Sequence, residues 1–123
     1  MSQPKKAEVK EVVEAAHGDL ARVRHMLETN PQLLNVPNGS ETALGAACQM
    51  RRKDIIEYLL SQGAERDIYA ACVLGLTDRV RSFLDADPTL ANMKAGHAHR
   101  KPPLYFAAEQ PAVEALLRSR GAA

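Results

Sequence analysis

This sequence predicts an all-α fold of stacked helical pairs, and three observations carry that expectation. The chain repeats itself: Gly18, Val23, Arg24, Leu27, Pro31, Leu33 and Asn35 recur as Gly75, Val80, Arg81, Leu84, Pro88, Leu90 and Asn92, each at an offset of 57. Ile56, Leu59 and Leu60 recur at the same offset as Val113, Leu116 and Leu117. A fixed period of this kind marks an array in which each small unit buries its apolar face on its neighbours. Second, Ile55, Ile56, Leu59 and Leu60 follow the rhythm of an apolar helix stripe. Third, hydrophobic residues make up 46% of the chain but aromatics only 4%, with no Trp, an alanine- and leucine-rich composition that argues against a β-sandwich. At 123 residues, length alone gives one domain, 1–123. Four units divide it, roughly 9–36, 37–66, 67–93 and 94–123.

The elements follow in chain order. The opening MSQPKKAEVKEVVEAA reads as a charged helix covering the first unit; it lacks the apolar core of a signal peptide. The first and third units share the phrase GxxxxVRxxLxxxPxLxN. Pro31 and Pro88 stop the preceding helices, and Leu33 and Leu90 are expected to tuck back under them. In the second unit Thr42 caps the first helix. Ala46, Ala47 and Cys48 let two helices approach closely, and Gly63 ends the second helix in a left-handed conformation. The third unit enters its alanine-rich helix directly from Asp67-Ile68, so the loop before it reduces to a tight turn. In the fourth, the connection Glu109-Gln110-Pro111 is three residues short, and Pro111 starts the second helix from a first-turn position.

The segment from Thr42 to Ala64, TALGAACQMRRKDIIEYLLSQGA, resembles an ankyrin repeat, whose pattern is TPLHxAA, a turn, then IVxxLLxxGA. Thr42, Leu44, Ala47, Ile55, Ile56, Leu59, Leu60, Gly63 and Ala64 fall on matching positions. Ala43, Gly45 and Cys48 depart from it, and Arg51-Arg52 replaces the usual Gly-His. Pro102, Pro103, Leu104, Ala107, Ala108, Val113, Leu116, Leu117, Gly121 and Ala122 give a second, variant match, with Tyr105 at the histidine position. The phrases EAAHGDLARV, ETALGAACQMRRKDIIEYLL and DIYAACVLG resemble a group of small bacterial ankyrin proteins. The resemblance implies an ankyrin-type helical solenoid, its outer units acting as caps, and a non-enzymatic protein-binding role.

Composition narrows the function classes. Sixteen basic and fifteen acidic residues leave a net charge of +1, with mixed signs, whereas nucleic-acid binding needs a concentrated basic face. The short runs Arg51-Arg52-Lys53 and Arg100-Lys101 read as solvated turns. No segment approaches the ~20 apolar residues of a membrane span. The expected location is the cytoplasm, which suits Cys48 and Cys72 as reduced, buried residues. No Ser or Cys has a base in evident reach, no Gly-rich phosphate loop occurs, and no paired carboxylates face a cleft. We therefore expect no enzyme and no cofactor. His97 and His99 form an H-x-H pair, but zinc usually takes four ligands, so the expectation is a polar hairpin tip with no metal.

The partner expected is another protein, with no nucleic acid and no membrane. In ankyrin arrays the hairpin tips and the exposed edge of the first helices form a concave binding face. Carried over position by position, the resemblance implies Asn38, Gly39 and Glu41 at one tip, with Gln49 and Met50 closing the helix that follows. It also implies Val73 and Leu74 in the third unit, His99 and Lys101 at the tip before the fourth, and Glu109 and Gln110 within it. The first unit contributes Ala16 and His17. Met50, Val73 and Leu74 are apolar where a solvated face prefers polar residues, as adjacent apolar residues do in a binding patch. Met50 and Leu74 are the expected anchors, with Glu41, Gln49 and Lys101 as a polar rim. Two alternatives stay open. One is a homo-oligomeric structural or regulatory module, a homodimer if Tyr105, Phe106 or Leu116 is exposed. The other is a metal- or small-molecule-responsive protein using the His97/His99 loop.

Overall fold

The computed structural model describes residues 4–96 and 100–123. Their backbone is all-α: eight α-helices and two 3₁₀ turns, with one isolated bridge between Asn38 and Glu41 as the extended pairing among the described residues. They group into two compact units, 4–65 with Gly96, and 66–95 with 100–123.

The first unit holds two helical pairs. Helices α1 (Lys6–Ala15) and α2 (Leu20–Thr29) are followed by a 3₁₀ turn, Pro31–Leu33, and then by α3 (Ala43–Gln49) and α4 (Lys53–Ser61). The Asp19 carboxylate accepts from Arg22 N–H at the start of α2, and Thr42 Oγ1 accepts from Gly45 N–H at the start of α3. Each satisfies one of the orphan donors at a helix start. Pro31 ends α2 as expected: Asn30 Oδ1 accepts from Gln32 N–H and the chain turns into the 3₁₀ segment. Gly63, at φ +98°, terminates α4 in the left-handed region. Val12, Val13, Val23, Leu33, Ile55, Ile56 and Leu59 are fully buried, and each contributes roughly 1.5–3 kcal/mol by leaving water.

The second unit repeats the plan. Helices α5 (Ile68–Leu74) and α6 (Thr77–Ala86) lead to a 3₁₀ turn, Pro88–Asn92, and then to α7 (Pro103–Phe106) and α8 (Pro111–Ser119). Asp67 caps α5 by accepting from Ala70 N–H at 2.8 Å. Asp87 stands where Asn30 does and accepts from both Thr89 N–H and Thr89 O–H. Val80, Leu84, Phe106, Val113 and Leu117 form the core. The Phe106 ring lies 5.2 Å from Tyr69 and edge-on to Tyr105, within the range of favourable aromatic pairs. Leu33 is buried as expected, but Leu90 is only half-buried, and Ala91 beside it takes the buried place.

Two hydrogen-bonded ties recur within the units and account for residues that the sequence repeat singles out. Asn35 Oδ1 accepts from Glu65 N–H at 3.1 Å, holding the chain beyond α4 against the end of the 3₁₀ turn. Asn92 does the same for the chain beyond α8, accepting from Ala123 N–H and donating to Gly121 O. The second tie lies at the helix–helix turns. Arg52 Nη1 donates to Gly18 O at 2.9 Å, and Gln110 Nε2 donates to Val73 O, two residues before Gly75, at 3.2 Å. A Cβ on Gly18 would meet Arg52 Nη1 at 3.1 Å, and one on Gly75 would meet Gln110 Oε1 at 2.3 Å. The repeated glycine leaves room for a polar side chain from the next helical pair to reach the turn.

Candidate partner-binding surface

In the first unit the candidate residues begin at the tip before α3. Asn38 and Glu41 exchange two backbone hydrogen bonds, of 2.8 and 3.2 Å, around Gly39 at φ +66°. Gly39, at the first central position of this turn, supplies the positive φ that a tight reversal requires. Asn38 and Gly39 are exposed and border a depression of about 400 Å³ together with Pro4, Lys6, Val9, Val36 and Pro37. Glu41 is half-buried, and its Oε1 lies 3.5 Å from His17 Nε2, while His17 Nδ1 contacts Glu14 O at 3.2 Å. Ala16 beside it is wholly buried.

At the other end of α3 the expectation divides. Met50 is the C-cap residue and is 54% exposed. Gln49, expected on the polar rim, is only 8% exposed, and its Nε2 has no hydrogen-bond partner among the described residues. The seven residues of α3 are all buried, so a partner reaching this helix meets Met50 rather than Gln49. The basic run that follows is more than a solvated turn. Arg51 is half-buried at φ +51°, and Arg52 pairs with Asp54 at 3.0 Å while bonding Gly18 O. The Arg52 guanidinium holds the Asp54 carboxyl below its ordinary range. This engagement was not legible as a charge run.

In the second unit the candidates separate further. Val73, expected at the surface, is 2% exposed and belongs to the core of α5. Leu74 is half-buried at the end of that helix. Gln110, expected to face a partner, is spent within the unit on Val73 O. Glu109 and Lys101 are exposed, and Lys101 Nζ lies 5.6 Å from the centre of the Tyr105 ring, within cation–π range. His97 and His99 lie outside the described residues. Tyr105 and Leu116 are half-buried, and Phe106 is buried.

Reactive groups in this unit are muted. Burial pushes the Cys72 thiol up to about 12 and the Tyr69 hydroxyl to about 12, with Asp67 adding to both. A thiol so shifted is not a nucleophile at neutral pH. Tyr69 O–H donates instead to Met93 O at 2.6 Å. Burial also raises the Asp67 carboxyl. A depression of about 530 Å³, bordered by Arg66, Leu76, Thr77, Asp78 and Arg79, contains none of the candidate residues. Leu76, at 38% exposed, is an apolar surface residue that repeat matching did not single out. Among the described residues, no group of three or more His, Cys, Asp or Glu is arranged to hold a metal ion, and no helix is long and apolar enough to cross a membrane.

Residues 40–71 match the family model for the ankyrin repeat. The chain contains an ankyrin repeat at these residues. The match begins at the tip, runs through the capped helix α3 and the apolar helix α4, and ends within α5, so it covers the surface around Glu41 and Met50. The all-α pairing of helices agrees with an ankyrin-type repeat fold. Ankyrin repeats are protein–protein interaction modules, presenting a repeated surface to a macromolecular partner. No curated protein and no solved structure is significantly similar to the chain.

Proposed function

We propose that this ankyrin-repeat chain is a non-enzymatic, cytoplasmic module that binds another protein through the tips and first-helix ends on its concave side. The observation that carries the reading is Met50: a large apolar side chain, more than half exposed, inside the matched repeat. Single exposed apolar residues are ordinary, but this one ends the helix that follows the tip Asn38–Glu41. Met adapts its unbranched chain to irregular partner surfaces, and interface energy concentrates in a few such anchors. Asn38 and Glu41 supply polar contacts in the same unit. Leu74, Lys101 and Glu109 offer a second, separate set in the other. Gln49, Val73 and Gln110 leave the contact list because their side chains are buried or engaged.

The test is capture of a partner by the folded wild-type chain and by Met50→Asp. Loss from the variant, with an unchanged melting curve, supports the reading; undiminished capture removes Met50 from it. A homodimer through the last helical pair is the second reading, and half-exposed Tyr105 and Leu116 favour it. Light scattering at two concentrations separates it from a monomer. A metal-responsive role for His97 and His99 is tested by zinc titration followed by thermal shift.

A further inference from the structure

The chain has four asparagines, Asn30, Asn35, Asn38 and Asn92, and three of them are chemically protected. Asn30 precedes Pro31, which has no amide N–H, and its Oδ1 accepts from Gln32 N–H. Asn35 precedes the branched Val36 and its Oδ1 accepts from Glu65 N–H. Asn92 precedes Met93 and its carboxamide is bonded at both ends, to Gly121 O and Ala123 N–H. Asn38 is exposed, as Asn35 and Asn92 are, but unlike theirs its side chain has no hydrogen-bond partner among the described residues. The next residue is Gly39, with no side chain to obstruct attack, and an added Cβ there would meet nothing within 4 Å. The Gly39 amide N–H donates to no group among the described residues.

Together these features make a covalent modification site, and we propose that Asn38 deamidates spontaneously in the folded chain. The deprotonated Gly39 backbone nitrogen attacks Asn38 Cγ. A bond forms between them, the Cγ–Nδ2 bond breaks, and the amide nitrogen leaves as ammonia with the proton given up by Gly39. The result is a five-membered succinimide. Water then opens either of its carbonyls, leaving aspartate or isoaspartate at position 38. The net reaction consumes one water and releases one ammonia, with no oxidant or reductant. Asparagine is among the thermolabile residues for this reason.

The product changes the tip in two ways. A carboxylate at position 38 cancels the net charge of +1 carried by the chain and places a second acid across the bridge from Glu41. Isoaspartate also routes the backbone through the former side chain, adding one carbon to it. The two hydrogen bonds between Asn38 and Glu41 then lose their register.

The test needs only the intact chain. Samples are held at 37 °C in mildly alkaline buffer, folded and in urea, and digested for peptide mapping by mass spectrometry. An isoaspartyl methyltransferase serves as a second, independent label. The expected result is an amide-to-acid mass change at Asn38 in the folded sample, methylation of the same peptide, and intact Asn35 and Asn92. Asn38 surviving in the folded sample while the urea sample converts would overturn the proposal, because the fold would then protect the tip. So would conversion of Asn35 or Asn92 at the rate of Asn38. A Gly39→Ala chain that remains folded is expected to convert more slowly, and conversion as fast as wild type would also count against the mechanism.

Discussion

Gly75 illustrates how much a single residue of the repeat must do. It ends α5 at φ +72°, and Gln110 lies where its side chain would be. Gly75→Ala is expected to destabilise the chain by ~1–3 kcal/mol, from a backbone conformation unfavourable for any Cβ together with the clash. Removing Gln110 relieves the clash but not the backbone strain. A double-mutant cycle with Gln110→Ala, followed by urea unfolding, is therefore expected to give a coupling energy of opposite sign to the single costs. Gly18→Ala is expected to cost less, since the atom it meets is the flexible end of Arg52. Asn92→Ala should cost about 1–2 kcal/mol, having lost two hydrogen bonds where Asn35→Ala loses one. The recurrence of these glycines and asparagines was legible in the sequence, but their partners were not. Arg52 and Gln110 are different residue types, so no sequence match links them, and only coordinates show that both reach a turn carbonyl. The recurring arginines make the converse case. Arg24 lies 4.7 Å over the Tyr58 ring, whereas Arg81 pairs with Asp78 at 2.7 Å. A repeated letter there is not a repeated contact.

At the scale of elements, helix starts and stops were the most legible feature. Thr42, Pro31, Pro88, Gly63 and Pro111 each act as their chemistry dictates, because capping and proline effects are local. Exposure was less legible. Gln49 and Val73 were expected at the surface because the family presents those positions, yet the short helices α3 and α5 bury them. A helix of seven residues enclosed by neighbours has no apolar-to-polar alternation to betray which residue faces out. Asp67 gives a prediction at this scale. It caps α5, but burial raises its carboxyl above the ordinary value of 3.8. A raised folded-state value favours the protonated form in the fold. The contribution is complete below the unfolded value and is lost as pH rises through the folded one. Asp67→Asn keeps a cap without the buried charge, so at neutral pH it should melt no lower than wild type. Asp67→Ala should lose about 0.5–2 kcal/mol of capping. As the pH falls toward 3.8, wild type should gain on Asp67→Asn, which thermal melts across that range would show. Leu59→Ala or Leu84→Ala, deep in their respective units, should cost ~2–5 kcal/mol.

At the scale of the whole molecule, the offset of 57 acquires a structural meaning. Residues one offset apart occupy equivalent places in two units of the same plan, each with two helical pairs, a proline-led 3₁₀ turn and an asparagine tie. Fold class was readable from the period, the apolar rhythm and the composition. The binding surface was readable only as a set of positions, because what a solenoid presents depends on which side chains the packing leaves uncovered. The most direct measurement compares partner capture by wild type, Met50→Asp and Met93→Asp, with all three shown to be folded by circular dichroism. Met93 is 45% exposed and lies outside the candidate set, so it controls for a new surface charge. Capture lost from Met50→Asp and kept by Met93→Asp is the expected result. Equal capture by all three would contradict a binding surface centred on Met50.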